Sequence, residues 1–212
     1  MTTPFKICGL STAATVDAAI AAGASWLGFV FFPASPRNLA LDRAAGLLAL
    51  VPPGVGRVAV LVDADDALID AVIAAGIDTL QLHGRESPER IAAVRARTGK
   101  PVWRAAGVAT RADIAVAIAG AGPADRVLLD AKAPENSAIP GGNGLAFDWR
   151  LMQGMEPPMP WGLSGGLDAG NVGAALAVLR PAFVDVSSGV EESSGVKSIS
   201  KIAAFGDAVR AA

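Results

Sequence analysis

Six side chains in this sequence have the chemistry and the placing to act on a small molecule: Lys6, Cys8, Arg37, His83, Asp130 and Asp185. Cys8 closes the apolar run Phe5-Lys6-Ile7-Cys8 just before Gly9, and strand alternation turns Lys6 to the same side. A thiol beside a cation is biased toward thiolate, which suits a base or a nucleophile; the plain alternative is a small buried hydrophobe. Asp130 ends another apolar run, Val127-Leu128-Leu129. A desolvated carboxyl there would favour its protonated form and could donate a proton, whereas a helix cap or ion pair would leave it ionised. Arg37, in Ser35-Pro36-Arg37, carries a planar fork that matches a carboxylate in two parallel bonds, unless it is a surface arginine. Asp185 can accept hydrogen bonds from sugar hydroxyls. His83, in Gln81-Leu82-His83-Gly84, either lines the same site or is a satisfied structural histidine.

Two glycine-bearing turns come late in the chain, Gly165-Gly166 and Ser188-Gly189. Glycine lets backbone N–H groups approach an anion closely, and a following helix N-terminus adds a favourable dipole. Paired in this way, they point to a phosphate monoester as the handle on the substrate. Gly162-Leu163-Ser164-Gly165-Gly166 also fits the G-x-S-x-G pattern of a hydrolase nucleophile. The single histidine, however, lies far upstream of Ser164, against the Ser-acid-His order of that fold. No phosphate-binding loop of the P-loop type and no well-placed G-x-G-x-x-G occurs, so no nucleotide cofactor is expected.

These residues need a scaffold that gathers them. The chain repeats a unit of short apolar strand, turn and alanine-rich helix. Strands are expected over 5–8, 26–31, 57–62, 79–83, 101–105, 126–130, 161–164 and 183–187, each followed by a helix. Near-continuous apolar strands indicate a parallel sheet covered on both faces. An open doubly wound sheet would show the same alternation, and the count of eight favours the closed (β/α)8 barrel, one α/β domain spanning 1–212. In such a barrel, reactive groups gather where strands run into helices. Cys8, the 33–37 loop, His83, Asp130, the 141–144 loop, Gly165-Gly166 and Asp185 to Gly189 all fall at strand C-terminal ends. The opposite turns carry mostly Gly, Pro and Ala.

Composition narrows the field. The 212 residues are enough for one well-buried core without disulfide or metal staples. With a net charge of −2 and both signs interleaved, no basic patch exists for nucleic acid or an anionic membrane. One cysteine excludes an intrachain disulfide, and one histidine makes a Cys/His metal cage remote, so no metal is expected. No leader-like N-terminal run and no apolar stretch of about 20 residues is present, and a cytoplasmic, membrane-free protein is the expectation.

Taken together, seven segments resemble one family. They are Lys6-Ile7-Cys8-Gly9-Leu10; Gly28-Phe29-Val30-Phe31 with Ser35-Pro36-Arg37; Gln81-Leu82-His83-Gly84; Leu128-Leu129-Asp130; Gly141-Gly142-Asn143-Gly144 with Phe147-Asp148-Trp149; Ser164-Gly165-Gly166-Leu167; and Asp185-Val186-Ser187-Ser188-Gly189-Val190-Glu191. In this order they are similar to the phosphoribosylanthranilate isomerases, and they cover nearly the whole chain. The resemblance implies Cys8 as general base and Asp130 as general acid in an Amadori rearrangement of tryptophan biosynthesis, without cofactor. It further implies Arg37 at the anthranilate carboxylate, Asp185 as a substrate contact, and Gly142, Asn143, Gly144, Gly165, Gly166, Ser188 and Gly189 around the phosphate. Lys6 and His83 are counted with the substrate-binding set. Departures are Asn143 for the usual threonine, Phe32 for tyrosine, and residues 193–198 in place of a Pro-Gly-x-Lys-Asp ending. The rival readings are a noncatalytic phosphometabolite-binding barrel and another phosphosugar isomerase, such as the histidine-pathway aminoaldose isomerase.

Overall fold

Helix starts follow from the residues that cap them. Thr12, Asp65 and Ser87 each accept from the backbone N–H three residues on, at 3.3, 2.8 and 3.3 Å. Thr110 and Asp113 form a reciprocal capping box. These contacts satisfy orphan donors of the first turn. They open α1 (Ala13–Ala21), α3 (Asp66–Ala74), α4 (Pro88–Thr98) and α5 (Arg111–Gly120). The remaining helices are α2 (Leu41–Leu48), α6 (Val172–Val178) and α7 (Ile199–Ala211). The computed structural model describes residues 2–133, 139–141, 148–155 and 157–212.

Between the helices run β1 (Phe5–Cys8), β2 (Trp26–Phe31), β3 (Gly56–Leu61), β4 (Thr79–Leu82), β5 (Val102–Val108), β6 (Arg126–Ala131), β7 (Trp161–Leu163) and β8 (Phe183–Val186). They pair in sequence order, all parallel, and β8 closes on β1 with Lys6 opposite Asp185. The closed eight-stranded barrel is therefore the fold, and the open sheet is not. Residues such as Ile7, Leu27, Phe29 and Leu61 face the helices in the main core, fully or almost fully buried. Their neighbours along each strand face the barrel axis.

Inside the barrel the packing differs from end to end. At the N-terminal ends of the strands, Trp26, Trp103 and Phe183 stack with ring centroids 4.9–5.5 Å apart. The Arg126 guanidinium lies over all three rings at 5.1–5.6 Å. Gly56 and Gly162 leave the room these rings occupy, since an added Cβ would overlap Trp26 and Phe183 respectively. Large side chains beside glycines thus plug this end, as a filled barrel requires.

Three differences from the sequence expectation have local causes. β5 runs on to Val108 instead of stopping at Ala105, because β6 pairs with it residue by residue as far as Ala131. The sixth helix is a single 3-10 turn, Trp149–Met152, led by Asp148, whose side chain accepts from Arg150 N. After β8 the chain forms an unexpected antiparallel hairpin, β9 (Glu191–Ser193) and β10 (Val196–Lys197), turned by Gly195 at φ 81°. Among the described residues, no helix is long and apolar enough to cross a membrane.

Candidate active site at the C-terminal mouth of the barrel

A cleft of about 750 Å³ opens at the C-terminal ends of the strands, and Cys8, Arg37, His83, Asp130, Gly165, Gly166, Asp185 and Ser188 all line it. The thiol and the carboxyl group, 122 residues apart in sequence, therefore share one cavity. Gly189 follows Ser188 in a short 3-10 turn beside the cleft. Its Cβ position is taken by the Leu167 carbonyl oxygen, so the exit loops of β7 and β8 pack backbone to backbone. Gly142, Asn143 and Gly144 lie outside the described residues.

Cys8 owes its place to two glycines. Gly9, at φ 82°, turns the chain so that its own N–H and that of Leu10 both reach the Gly28 carbonyl, at 2.8 and 3.0 Å. Gly28, opposite Cys8 in the sheet, has no side chain, and a Cβ there would come within 3.0 Å of the sulfur. Val30, Val60 and Phe32 form an apolar wall against the thiol. Burial pushes the Cys8 thiol up, and Lys6 offsets this only in part. The expected bias toward thiolate is thus corrected: burial favours the neutral thiol, which is a strong base once it loses its proton. Burial is the main cause, and the charge of Asp185, the partner of Lys6, adds to it. Lys6 is wholly buried, its Nζ donates to Asp185 Oδ1 at 2.8 Å, and it lies behind the lining residues.

Asp130 shows the opposite outcome. Burial, with the Asp185 charge adding to it, raises its carboxyl to about 7, against hydrogen bonds from Ala131 N and Ser164. A carboxyl group poised there is protonated in part at neutral pH, the condition for a general acid. Among the described residues it makes no close ion pair: His83 Nε2 stands 3.7 Å from its Oδ2. His83 is neutral, its pKa lowered to about 3 by burial and by Lys6 and Arg104. Among the described residues its buried Nε2 finds no hydrogen-bond partner, nor does Gln81 Oε1. The structural-histidine reading therefore fails at that atom, because a satisfied core group would be paired.

Arg37 is buried, at 5% exposure, which removes the surface-arginine reading. Its Nε and Nη2 donate to the two carboxylate oxygens of Glu191 at 2.7 and 2.8 Å. Sequence reasoning assigned no role to Glu191, nor to Lys197, whose Nζ donates to Glu191 Oε1 at 2.6 Å. The signal was a short run, a Ser-Ser-Gly turn and a second short run, which reads as a hairpin. The partner of Glu191, 154 residues upstream, has no local signature. At the anion end, the N–H groups of Gly165, Gly166, Ser188 and Gly189 find no backbone acceptor among the described residues.

This geometry can be compared with known proteins. The family model described as N-(5'-phosphoribosyl)anthranilate (PRA) isomerase matches residues 5–208. The chain belongs to this isomerase family. Within it, the N-(5'-phosphoribosyl)anthranilate isomerase of Azorhizobium caulinodans is 56% identical over 98% of this chain and 91% of its own. Among solved structures, the phosphoribosyl anthranilate isomerase of Thermotoga maritima superposes with a TM-score of 0.88 at 33% identity, over 99% of this chain and 100% of that one. A phosphoribosyl anthranilate isomerase in complex with reduced 1-(o-carboxyphenylamino)-1-deoxyribulose 5-phosphate superposes at 0.85, with 30% identity and the same coverage. Membership of the PRA isomerase family also disposes of the hydrolase pattern around Ser164, whose place is beside Asp130.

Proposed function

We propose that this chain catalyses the Amadori rearrangement of N-(5'-phosphoribosyl)anthranilate to 1-(2-carboxyphenylamino)-1-deoxyribulose 5-phosphate in tryptophan biosynthesis. The observation that carries it is the pairing in one cleft of a half-protonated carboxyl group, Asp130, with a buried thiol, Cys8. Asp130 donates its proton to the furanose ring oxygen; the ring C–O bond breaks, and the anilino nitrogen's lone pair forms an iminium ion. The Cys8 thiolate then takes the C2′ proton, and that bond's electrons neutralise the iminium to give an enolamine. Tautomerisation yields the aminoketose. The proton taken from C2′ is balanced by one delivered to C1′ as the enol O–H gives up its own, and C2′ is oxidised as C1′ is reduced, so the step needs neither external oxidant nor reductant.

Binding energy comes from the two ends of the substrate. Arg37 meets the anthranilate carboxylate, and the N–H groups of Gly165, Gly166, Ser188 and Gly189 meet the phosphate; Gly142, Asn143 and Gly144 belong with them by resemblance. Asp185 takes a ribose hydroxyl, and Lys6 supports it from beneath. His83 contributes a neutral edge to the same wall. Holding both ends places C2′ over the sulfur, which is the entropic share of catalysis. β1 ends at Cys8 and β5 at Gly107-Val108, so neither strand brings a carboxylate of its own to the cleft. A reducing cytoplasm suits a chain whose base is a lone thiol.

The fluorescence decay of phosphoribosylanthranilate measures the reaction directly. Cys8→Ala and Asp130→Asn are each expected to lower kcat by roughly 10²–10⁴-fold, the usual worth of a positioned acid or base. Near-normal turnover in either variant would remove it from the mechanism.

A further inference from the structure

Beside the cleft lies a buried cluster of charge of which the proposed chemistry uses only Arg37. Glu191 heads β9 at 7% exposure and accepts from four donors. Arg37 Nε at 2.7 Å and Lys197 Nζ at 2.6 Å reach its Oε1; Arg37 Nη2 at 2.8 Å and Gly195 N at 3.2 Å reach its Oε2. Lys197 Nζ also donates to the Ser187 carbonyl at 2.9 Å, and Ser187 Oγ donates to the Cys8 carbonyl at 3.2 Å. One continuous network thus joins the exit loop of β2, the hairpin β9–β10, the exit loop of β8 and the end of β1. Burial alone would raise the Glu191 carboxyl, but Arg37 and Lys197 more than offset it and hold it below its usual value.

Desolvating three charges is a poor way to gain stability, since well-packed apolar groups often do as well or better. What the arrangement does supply is orientation. Two parallel bonds from one carboxylate fix the plane of a guanidinium and stop its rotation, which a single bond or a screened contact does not. Arg37 lines the cleft in that fixed plane.

We propose that Glu191 is a positioning residue: it sets the Arg37 guanidinium for the substrate carboxylate, and Lys197 locks that setting to the exit loop of β8. The inference rests on Arg37 as the carboxylate clamp. It assigns the hairpin a part in substrate selection and leaves the proton transfers to Cys8 and Asp130.

Two stable ligands test it by calorimetry: reduced 1-(o-carboxyphenylamino)-1-deoxyribulose 5-phosphate and its counterpart lacking the ring carboxylate. Glu191→Gln should weaken the carboxylated ligand by about 10-fold or more, as expected when a buried charge pair loses one member. The decarboxylated ligand should bind within about 2-fold of the wild-type value, and turnover should show raised KM with kcat nearly unchanged. In an Arg37→Ala background, Glu191→Gln should add no further loss, because coupled partners are not additive. Glu191→Asp, which keeps the charge but shortens the reach, should give the same selective pattern and serves if the Gln variant does not fold. Equal weakening of both ligands would make Glu191 a structural support only. Unchanged or tighter binding of the carboxylated ligand would mean that Glu191 competes for Arg37, and either result overturns the proposal. If Arg37→Ala itself binds both ligands as wild type does, the clamp reading fails and takes this inference with it.

Discussion

Cys8 and Asp130 illustrate how burial acts in opposite ways on usefulness. Both lose solvent, and both are pushed toward their neutral forms. For Asp130 that is the working form; for Cys8 it is the resting one. The productive state needs a thiolate and a protonated carboxyl together, yet the thiol titrates above the acid, so a minor fraction of the enzyme holds both. That fraction climbs about tenfold per pH unit until the acid titrates, then stays level until the thiol does. The expected profile of kcat/KM therefore rises to about pH 7 and flattens above it. Alkylation of Cys8 by iodoacetamide, which needs only the thiolate, should instead keep rising well beyond that point. An alkylation rate that already levels off below pH 7 would show a stabilised thiolate, and the raised thiol would be wrong.

Elements place these side chains to within fractions of an ångström, and β2 does so by omission. At Gly28 an added Cβ would lie 2.9 Å from Lys6 Cε and 3.0 Å from both the Cα and the Sγ of Cys8. Gly28→Ala is expected to displace the thiol and reduce kcat by roughly 10–100-fold, the scale of a misplacement of about 1 Å. Circular dichroism should show the barrel retained; full activity in a folded variant would mean that β1 has slack here. The strands themselves were legible because each is an apolar, β-rich run bounded by Gly, Pro or a capping residue. β1 and β2 match the expectation residue for residue. What escaped was non-local. β5 was expected to end at Ala105, but pairing with β6 carries it on to Val108. Glu191 was given no role, because nothing near it in sequence announces Arg37. The bias expected of Lys6 on Cys8 is present but outweighed, first by burial and then by the charge of Asp185, which lies 179 residues away.

Across the whole molecule, the barrel divides its labour between its two ends. The plug at the N-terminal end is aromatic and dense around Arg126, while the opposite end holds a carboxyl group pushed toward its neutral form and, among the described residues, polar atoms without partners. Active-site groups held in unfavourable surroundings reduce stability, and the rest of the fold offsets them. Asp130 makes this measurable. Its folded pKa, about 7, lies above the ordinary carboxylate value, so the folded state binds more protons than the unfolded chain between the two. Stability then falls as pH rises through that window and stays lower above it. His83 acts with the opposite sign: its folded pKa of about 3 lies below its usual value, so stability is lost as pH falls from about 6.5 toward 3. The His83 shift arises from burial, Lys6 and Arg104, and so cancels when Asp130 variants are compared at one pH. Asp130→Asn, which removes the ionisable group, should therefore match wild type near pH 4 and exceed it at pH 8. A gain on the order of a few kcal/mol follows from a shift of this size, and at about 2–4 °C per kcal/mol it would raise Tm by roughly 5 °C or more. Thermal unfolding at the two pH values checks it. An Asn variant with no extra stability at pH 8 would mean that ionised Asp130 sits comfortably in the fold, and a carboxylate so placed could not hold the proton that ring opening requires.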